Sequence, residues 1–214
     1  MEAPTSEASE TETEAERITR RPIPPAEGWT ADDLDRIPDL PRYTELLDGS
    51  LVFRSPQTRF HSRTIRLLDN ALLRQAPDHL DVLRQMTVRL DRKNRPEPDV
   101  LVFPIEANTG HDQTWYDRAD IVLAVEVVSP DSRERDREVK PRKYAQAEVR
   151  HFWRVEQDDD KGLPVVHVYE LDSATGSYAL SGIYHDRLKL TVPFDIEIDL
   201  TAIDRRPGES HGAQ

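Results

Sequence analysis

The sequence contains no cysteine. That excludes disulfides, thiolate nucleophiles and zinc–thiolate sites outright, and it accords with a reducing compartment. No apolar run approaches the roughly 18 residues of a membrane span. The N-terminus also lacks the basic-then-apolar pattern of a secretory signal. A soluble, cytoplasmic chain with no membrane partner is expected. There is no Gly-rich phosphate loop and no G-x-S-x-G elbow, so nucleotide-triphosphatase and serine-hydrolase chemistry have no support. The seven histidines show no H-x-x-x-H or similar zinc spacing. A basic balance is absent too: the formal net charge is -12. Nucleic-acid binders usually carry a basic footprint, so such a function would need a locally basic groove. No internal repeat is visible.

What is present divides the 214 residues into three parts. Residues 1–27 hold seven Glu and three Arg, with few apolar side chains. Such a composition does not offset ordering entropy, and a disordered acidic tail is expected. Residues 28–204 carry the periodic patterns of one folded domain, and 205–214 read as a second, flexible tail. Within the domain, Thr30 is placed to cap a short helix running to Ile37. Tyr43 to Arg54 reads as a hairpin around Asp48-Gly49. Arg59 to Gln75 sets Ile65, Leu68, Leu72 and Leu73 on one helical face, and Pro77 ends that helix. Asp81 to Leu90, Pro98 to Phe103 and Ile121 to Val128 read as strands. The last two are so apolar that both of their faces should be buried. Pro104 to Asp120 reads as a polar loop, in which Trp115 and Tyr116 close over the core. A helix is expected within Arg133 to Ala147, then a strand at His151 to Glu156. A hairpin from Val165 to Leu171 and Tyr178 to Ile183 completes the pattern.

Two acids interrupt the apolar strands. Asp99 opens PDVLVF, and Glu126 lies deep in IVLAVEVV. A charge among buried β-branched residues is costly unless paired or bound to a metal. If the two strands are neighbours, both carboxylates face one pocket. Converging carboxylates suit Mg²⁺ or Mn²⁺, hard cations that prefer oxygen. The backbone carbonyl of Val127 would add a ligand. A lysine near the pair would hold an attacking water or neutralise developing charge. The nuclease pattern PD…(D/E)xK puts that lysine two residues after the second acid, but Val128 stands there. The nearest lysine candidate is Lys140. It shares a helical face with Asp136 and Tyr144, at i, i+4 and i+8. Pro141 requires the helix to start near Lys140, or else the lysine is displaced. The run from Arg133 to Lys143 holds six basic and three acidic residues. It reads equally as a phosphate-contacting surface through Arg133, Arg135 and Arg137 or as a solvated mixed-charge helix.

These pieces together carry a resemblance. ELLDGS at Glu45 to Ser50, PEPDVLVF at Pro96 to Phe103, VEVVSP at Val125 to Pro130, the spaced Asp136, Lys140 and Tyr144, and HFWRV at His151 to Val155 closely resemble the Uma-two family of restriction endonucleases. That family is a branch of the PD-(D/E)XK superfamily in which a lysine from the following helix replaces the strand lysine. The resemblance covers roughly residues 30–172. It implies an α/β (α+β) restriction-endonuclease-like core, with a mixed central sheet flanked by helices and extra β-hairpins. It further implies Asp99 and Glu126 as metal ligands, Lys140 as catalytic lysine, Glu45 as a further acid and His61 as a pocket residue. Asp136 and Tyr144 would support the site. Ser50 departs from the pattern, standing where the family often has Glu. The expected activity is Mg²⁺-dependent hydrolysis of DNA, with a homodimer as the arrangement that cuts both strands at once. The alternative is an inactive nuclease fold that binds DNA or a protein partner.

Overall fold

The computed structural model describes residues 23–205. Most of each expected tail, residues 1–22 and 206–214, lies outside the described residues. The centre is a six-stranded mixed sheet in the order β10-β9-β8-β7-β5-β3. Its strands are β3 (Leu80–Arg84), β5 (Val100–Pro104), β7 (Leu123–Val127), β8 (His151–Gln157), β9 (Pro164–Asp172) and β10 (Ser177–Tyr184). β7 and β8 are parallel, and every other neighbouring pair is antiparallel. The expected α+β sheet architecture is therefore present.

Alternation along the central strands divides the core in two. Val100, Val102, Leu123, Val125 and Val127 face helix α1 (Arg59–Gln75). Leu101, Phe103, Ala124 and Phe152 face the other way, toward Tyr144 and Val149. Helix α1 begins where the sequence places it. Thr58 caps it by accepting the His61 amide at 3.2 Å, and it ends before Pro77. Its buried stripe is His61, Thr64, Ile65, Leu68, Ala71 and Leu72. Burial of Leu68 and Leu72 contributes about 2 kcal/mol each. Leu73, expected on that stripe, is 52% exposed. It is rotated one residue past Leu72, off the sheet-facing side.

The hairpin of β1 (Glu45–Leu47) and β2 (Ser50–Val52) forms around a turn with two left-handed residues, Asp48 at φ 49° and Gly49 at φ 76°. This is the backbone twist a two-residue hairpin demands. The strand expected from Asp81 to Leu90 is instead broken at Gln85, whose φ is 55°. β3 stays in the sheet, while β4 (Thr87–Arg89) leaves it and pairs in parallel with β6 (Trp115–Asp117). The expected polar loop thus contains a strand and short 3₁₀ turns. Tyr116 is buried with its ring centroid 4.1 Å from that of Phe103. Trp115 lies under the Arg89 guanidinium at 5.4 Å.

The short N-terminal helix is a 3₁₀ segment, Ala31–Asp35, closed by a Thr30–Asp33 capping box. The second long helix opens as a π-helical turn, Arg135–Val139, and becomes α2 (Lys140–Gln146) with Pro141 in its first turn. The π-turn runs directly into α2: the Lys140 amide donates to the Arg135 carbonyl five residues back, and Lys140 keeps helical backbone angles although Pro141 follows it. The sequence pattern did not anticipate the pair β11 (Arg187–Leu190) and β12 (Ile196–Asp199). Its Leu188, Ile196 and Ile198 complete the core on the α1 side. Among the described residues, no helix is long and apolar enough to cross a membrane.

Candidate active site

β5 and β7 are antiparallel neighbours, with Val100 opposite Val125. Continuing that register by one residue sets Asp99 opposite Glu126. The Asp99 amide donates to the Val125 carbonyl at 2.9 Å, so Asp99 is tied to the sheet just before β5 begins. Both acids take the parity of Leu101 and Ala124, hence the α2 side of the sheet. Six other predicted residues are gathered there or nearby: Glu45 from β1, His61 from the first turn of α1, Val127, Asp136 from the π-turn, and Lys140 and Tyr144 from α2.

The contacts form a closed network. Lys140 Nζ lies 2.9 Å from Glu126 Oε2, 2.8 Å from Glu45 Oε1 and 3.3 Å from Asp136 Oδ1. The Tyr144 hydroxyl donates to Glu126 Oε1 at 2.8 Å. Glu45 Oε1 also accepts the Glu97 amide at 2.8 Å. Asp99 Oδ2 accepts the Val127 amide at 2.8 Å and contacts His61 Nε2 at 3.2 Å. Asp99 Oδ1 accepts from Arg54 Nη2 at 2.7 Å. Arg54 and Glu97 were not anticipated from the sequence. Arg54 follows β2 on an exposed irregular stretch, where an arginine reads as solvated. Glu97 sits between two prolines and reads as loop. The one available clue was its i−2 spacing from Asp99, which gives both side chains the same orientation in extended chain.

Burial sets the electrostatics. Glu45, Glu97, Asp99, Glu126 and Asp136 are all buried, against the permanent cations Lys140 and Arg54. Burial raises Asp99, but the His61 hydrogen bond and the Arg54 charge overcome it and hold the carboxyl below its ordinary range. Burial lifts Glu126 well above the ordinary carboxylate range despite Lys140. Burial also pushes Glu97 up to about 7, only partly opposed by Arg54. Lys140 is held above its ordinary value because Glu126, Glu45 and Asp136 outweigh the cost of its own burial. Two buried oxygens, Glu97 Oε1 and Asp136 Oδ1, accept no hydrogen bond. Asp136 Oδ1 keeps only its ion contact with Lys140.

With every carboxyl ionised, five carboxylates would outnumber the two permanent cations; burial instead raises Glu126, Glu97 and Asp136, so protons stand in for the missing positive charge, which a bound cation would replace. All the donors are hard oxygens, so the set fits Mg²⁺ or Mn²⁺ in charge and type. It is not a ready cage. Among the described residues, no three His, Asp or Glu side chains converge at metal-ligand spacing, because Arg54 and Lys140 stand among the carboxylates. Val127 engages the site through its amide, the opposite pole from the carbonyl expected as a ligand.

The three arginines expected at phosphates lie around the π-turn, and two are already paired. Arg135 donates to Asp131 at 3.1 Å. Arg137 pairs with Glu156. Arg133 and Arg137 line a groove of about 170 Å³ with Ser129 and Asp159, beside the end of β7.

A mixed sheet with an acidic cluster at the junction of β5, β7 and α2 defines a protein of the restriction-endonuclease-like fold class. The chain matches the Uma2 family, described as "Putative restriction endonuclease", over residues 31–202, and it belongs to that family. A similar solved structure is that of a "putative nuclease" from Anabaena variabilis ATCC 29413. It is 14% identical, with a TM-score of 0.58, covering 81% of this chain and 96% of that one. No curated protein matches the chain.

Proposed function

We propose that this chain is a divalent-metal-dependent endonuclease that hydrolyses DNA phosphodiester bonds in the cytoplasm. The observation that carries the reading is the position of Lys140. It comes from α2, yet its ammonium lies within 2.9 Å of both Glu126 and Glu45, in the role that Val128 leaves open on the strand. A nuclease family description accords with it.

In this reading Asp99 and Glu126 hold Mg²⁺ or Mn²⁺, with the Val127 backbone as a further donor after a local adjustment. The ion, when bound, supplies a Lewis acid and a more acidic water. Lys140 orients the attacking water and offsets charge on the phosphate. Glu45, Asp136 and Tyr144 fix that ammonium and the Glu126 carboxyl. His61 fixes Asp99. Arg133, beside the groove at the end of β7, is the best placed of the three arginines to meet a phosphate. Two copies would cut both strands of a duplex in one encounter.

A second reading has a specific observation behind it. The cluster is buried, and the net charge of -12 opposes DNA, as expected of a nuclease fold kept for binding DNA or a protein without turnover. One experiment separates the two. Mn²⁺ is titrated calorimetrically into wild type and the Asp99→Ala/Glu126→Ala double variant, and each is then incubated with supercoiled plasmid. Metal binding and nicking by wild type, both lost in the variant, are the expected result. Nicking that persists in the variant refutes the site. DNA binding without turnover or metal uptake favours the second reading.

A further inference from the structure

Arg54 is the one strong cation of the cluster that no nuclease role accounts for. The catalytic candidates around it are almost wholly enclosed: Asp99 and Glu126 are 0% exposed, and Glu45 and Lys140 1%. The Arg54 and Glu97 side chains, at 7% each, mark the side of the cluster closest to solvent. Arg54 holds Asp99 Oδ1 through Nη2 at 2.7 Å. Its other terminal nitrogen, Nη1, is 3.8 Å from Glu97 Oε1. Both of those atoms are buried, and neither makes a hydrogen bond. The guanidinium is therefore fully committed on one side and unmatched on the other. A residue placed only for stability would be expected to satisfy both.

The backbone that carries it is suited to movement. Residues 53–58 have no regular structure, and Phe53, Ser55, Pro56 and Thr58 are exposed. Arg54 and Gln57 are the half-buried residues of that stretch, and Arg54 is the one that reaches the acidic cluster. Swinging it out would uncover Asp99 and Glu97 without disturbing β2 or α1.

We propose that Arg54 is a displaceable counter-cation, which seals the Asp99–Glu97 side of the cluster and competes with a divalent ion for Asp99. The inference rests on the metal-binding reading above. A divalent cation on Asp99 Oδ1 would sit beside the guanidinium 2.7 Å from that oxygen, and repulsion between the two positive charges weakens its binding. Displacing the Arg54 side chain relieves that repulsion, and apparent affinity carries the cost of the displacement.

The test measures metal affinity and needs no turnover. Mn²⁺ is titrated calorimetrically into wild type, Arg54→Met, Asp99→Asn and the Arg54→Met/Asp99→Asn double variant. Arg54→Met is expected to bind at least tenfold more tightly than wild type, and both Asn variants are expected to lose binding. Arg54→Lys, which keeps the charge but not the two-nitrogen reach, should fall between wild type and Arg54→Met. Affinity for Arg54→Met that is weaker than wild type, or within threefold of it, overturns the competition while leaving an Asp99-dependent metal site intact. Absence of binding in all five proteins overturns both readings. If Arg54→Met does not fold alone, recovery of its circular dichroism on adding Mn²⁺ supports the proposal, and failure to recover overturns it.

Discussion

At the residue scale, buried charge is tolerated here only in networks. Glu126 has a donor on each oxygen, Lys140 and Tyr144, because removing one partner from such a cluster leaves a charge stranded at low dielectric. Asp99 and Glu126 were legible as members of the cluster because each interrupts an apolar strand, and Asp136, Lys140 and Tyr144 because they recur on one helical face. Glu45 and His61 were legible only through the family resemblance. Arg54 and Glu97 were not, since their burial depends on neighbours far away in the chain. Another buried titratable residue gives a pH prediction away from the site. Burial at the start of β8 lowers His151 below its ordinary value, with Glu170 opposing. The unfolded chain therefore takes up the proton first. The stability contributed by the neutral imidazole is present above about pH 6.5 and is lost as pH falls toward the folded value. Urea unfolding of wild type and His151→Gln between pH 7.5 and 5.5 is expected to show a shallower decline for the variant. Equal slopes would show that His151 does not titrate differently on folding.

At the element scale, the β1–β2 hairpin is what delivers Glu45 to Lys140. Its turn needs φ of 76° at Gly49, where an added Cβ would lie 3.3 Å from both the Trp29 carbonyl oxygen and Lys93 Cδ. Gly49→Ala is expected to cost about 1–2 kcal/mol, a fall of roughly 2–8 °C in melting temperature for a chain of this size. A thermal melt checks it, and an unchanged midpoint would mean the turn relaxes into another form. Hairpin, α1 and central strands were legible because period and turn chemistry are local. The break at Gln85 was not. The apolar pattern runs on through Val88 and Leu90, and only the β6 partner, distant in sequence, draws β4 off the sheet. β11 and β12 were missed for the same reason. Their short segments acquire meaning once they cover the sheet.

At the scale of the whole molecule, the negative balance is spread unevenly. Residues 1–27 carry -4 of the net -12. We propose that residues 28–204 form an autonomous domain. Among the described residues, the hydrogen bonds and ion pairs that cross those boundaries are few: the Gly28 amide donates to the Pro25 carbonyl, Lys93 Nζ reaches the Glu27 carbonyl, and Arg205 reaches the Ala202 carbonyl and, at a partly exposed ion pair, Asp199. A protein truncated to 28–204 should lose less than about 1 kcal/mol, keeping its melting temperature within roughly 4 °C of the full chain. A larger drop would show that the flanking residues belong to the folded unit.

The family, the mixed α/β composition, the hairpin, the first long helix and the two strands whose acids interrupt apolar runs are all readable from the order of residues alone. Each of these is written in spacing, composition or motif, properties of residues near one another in the chain. Folding is what makes β5 and β7 neighbours, sets Lys140 between Glu126 and Glu45 despite Pro141, and pairs Arg54 with Asp99. Those outcomes depend on register and on long-range burial, where the cost of desolvating a charge is set by whichever partners the fold happens to bring within reach.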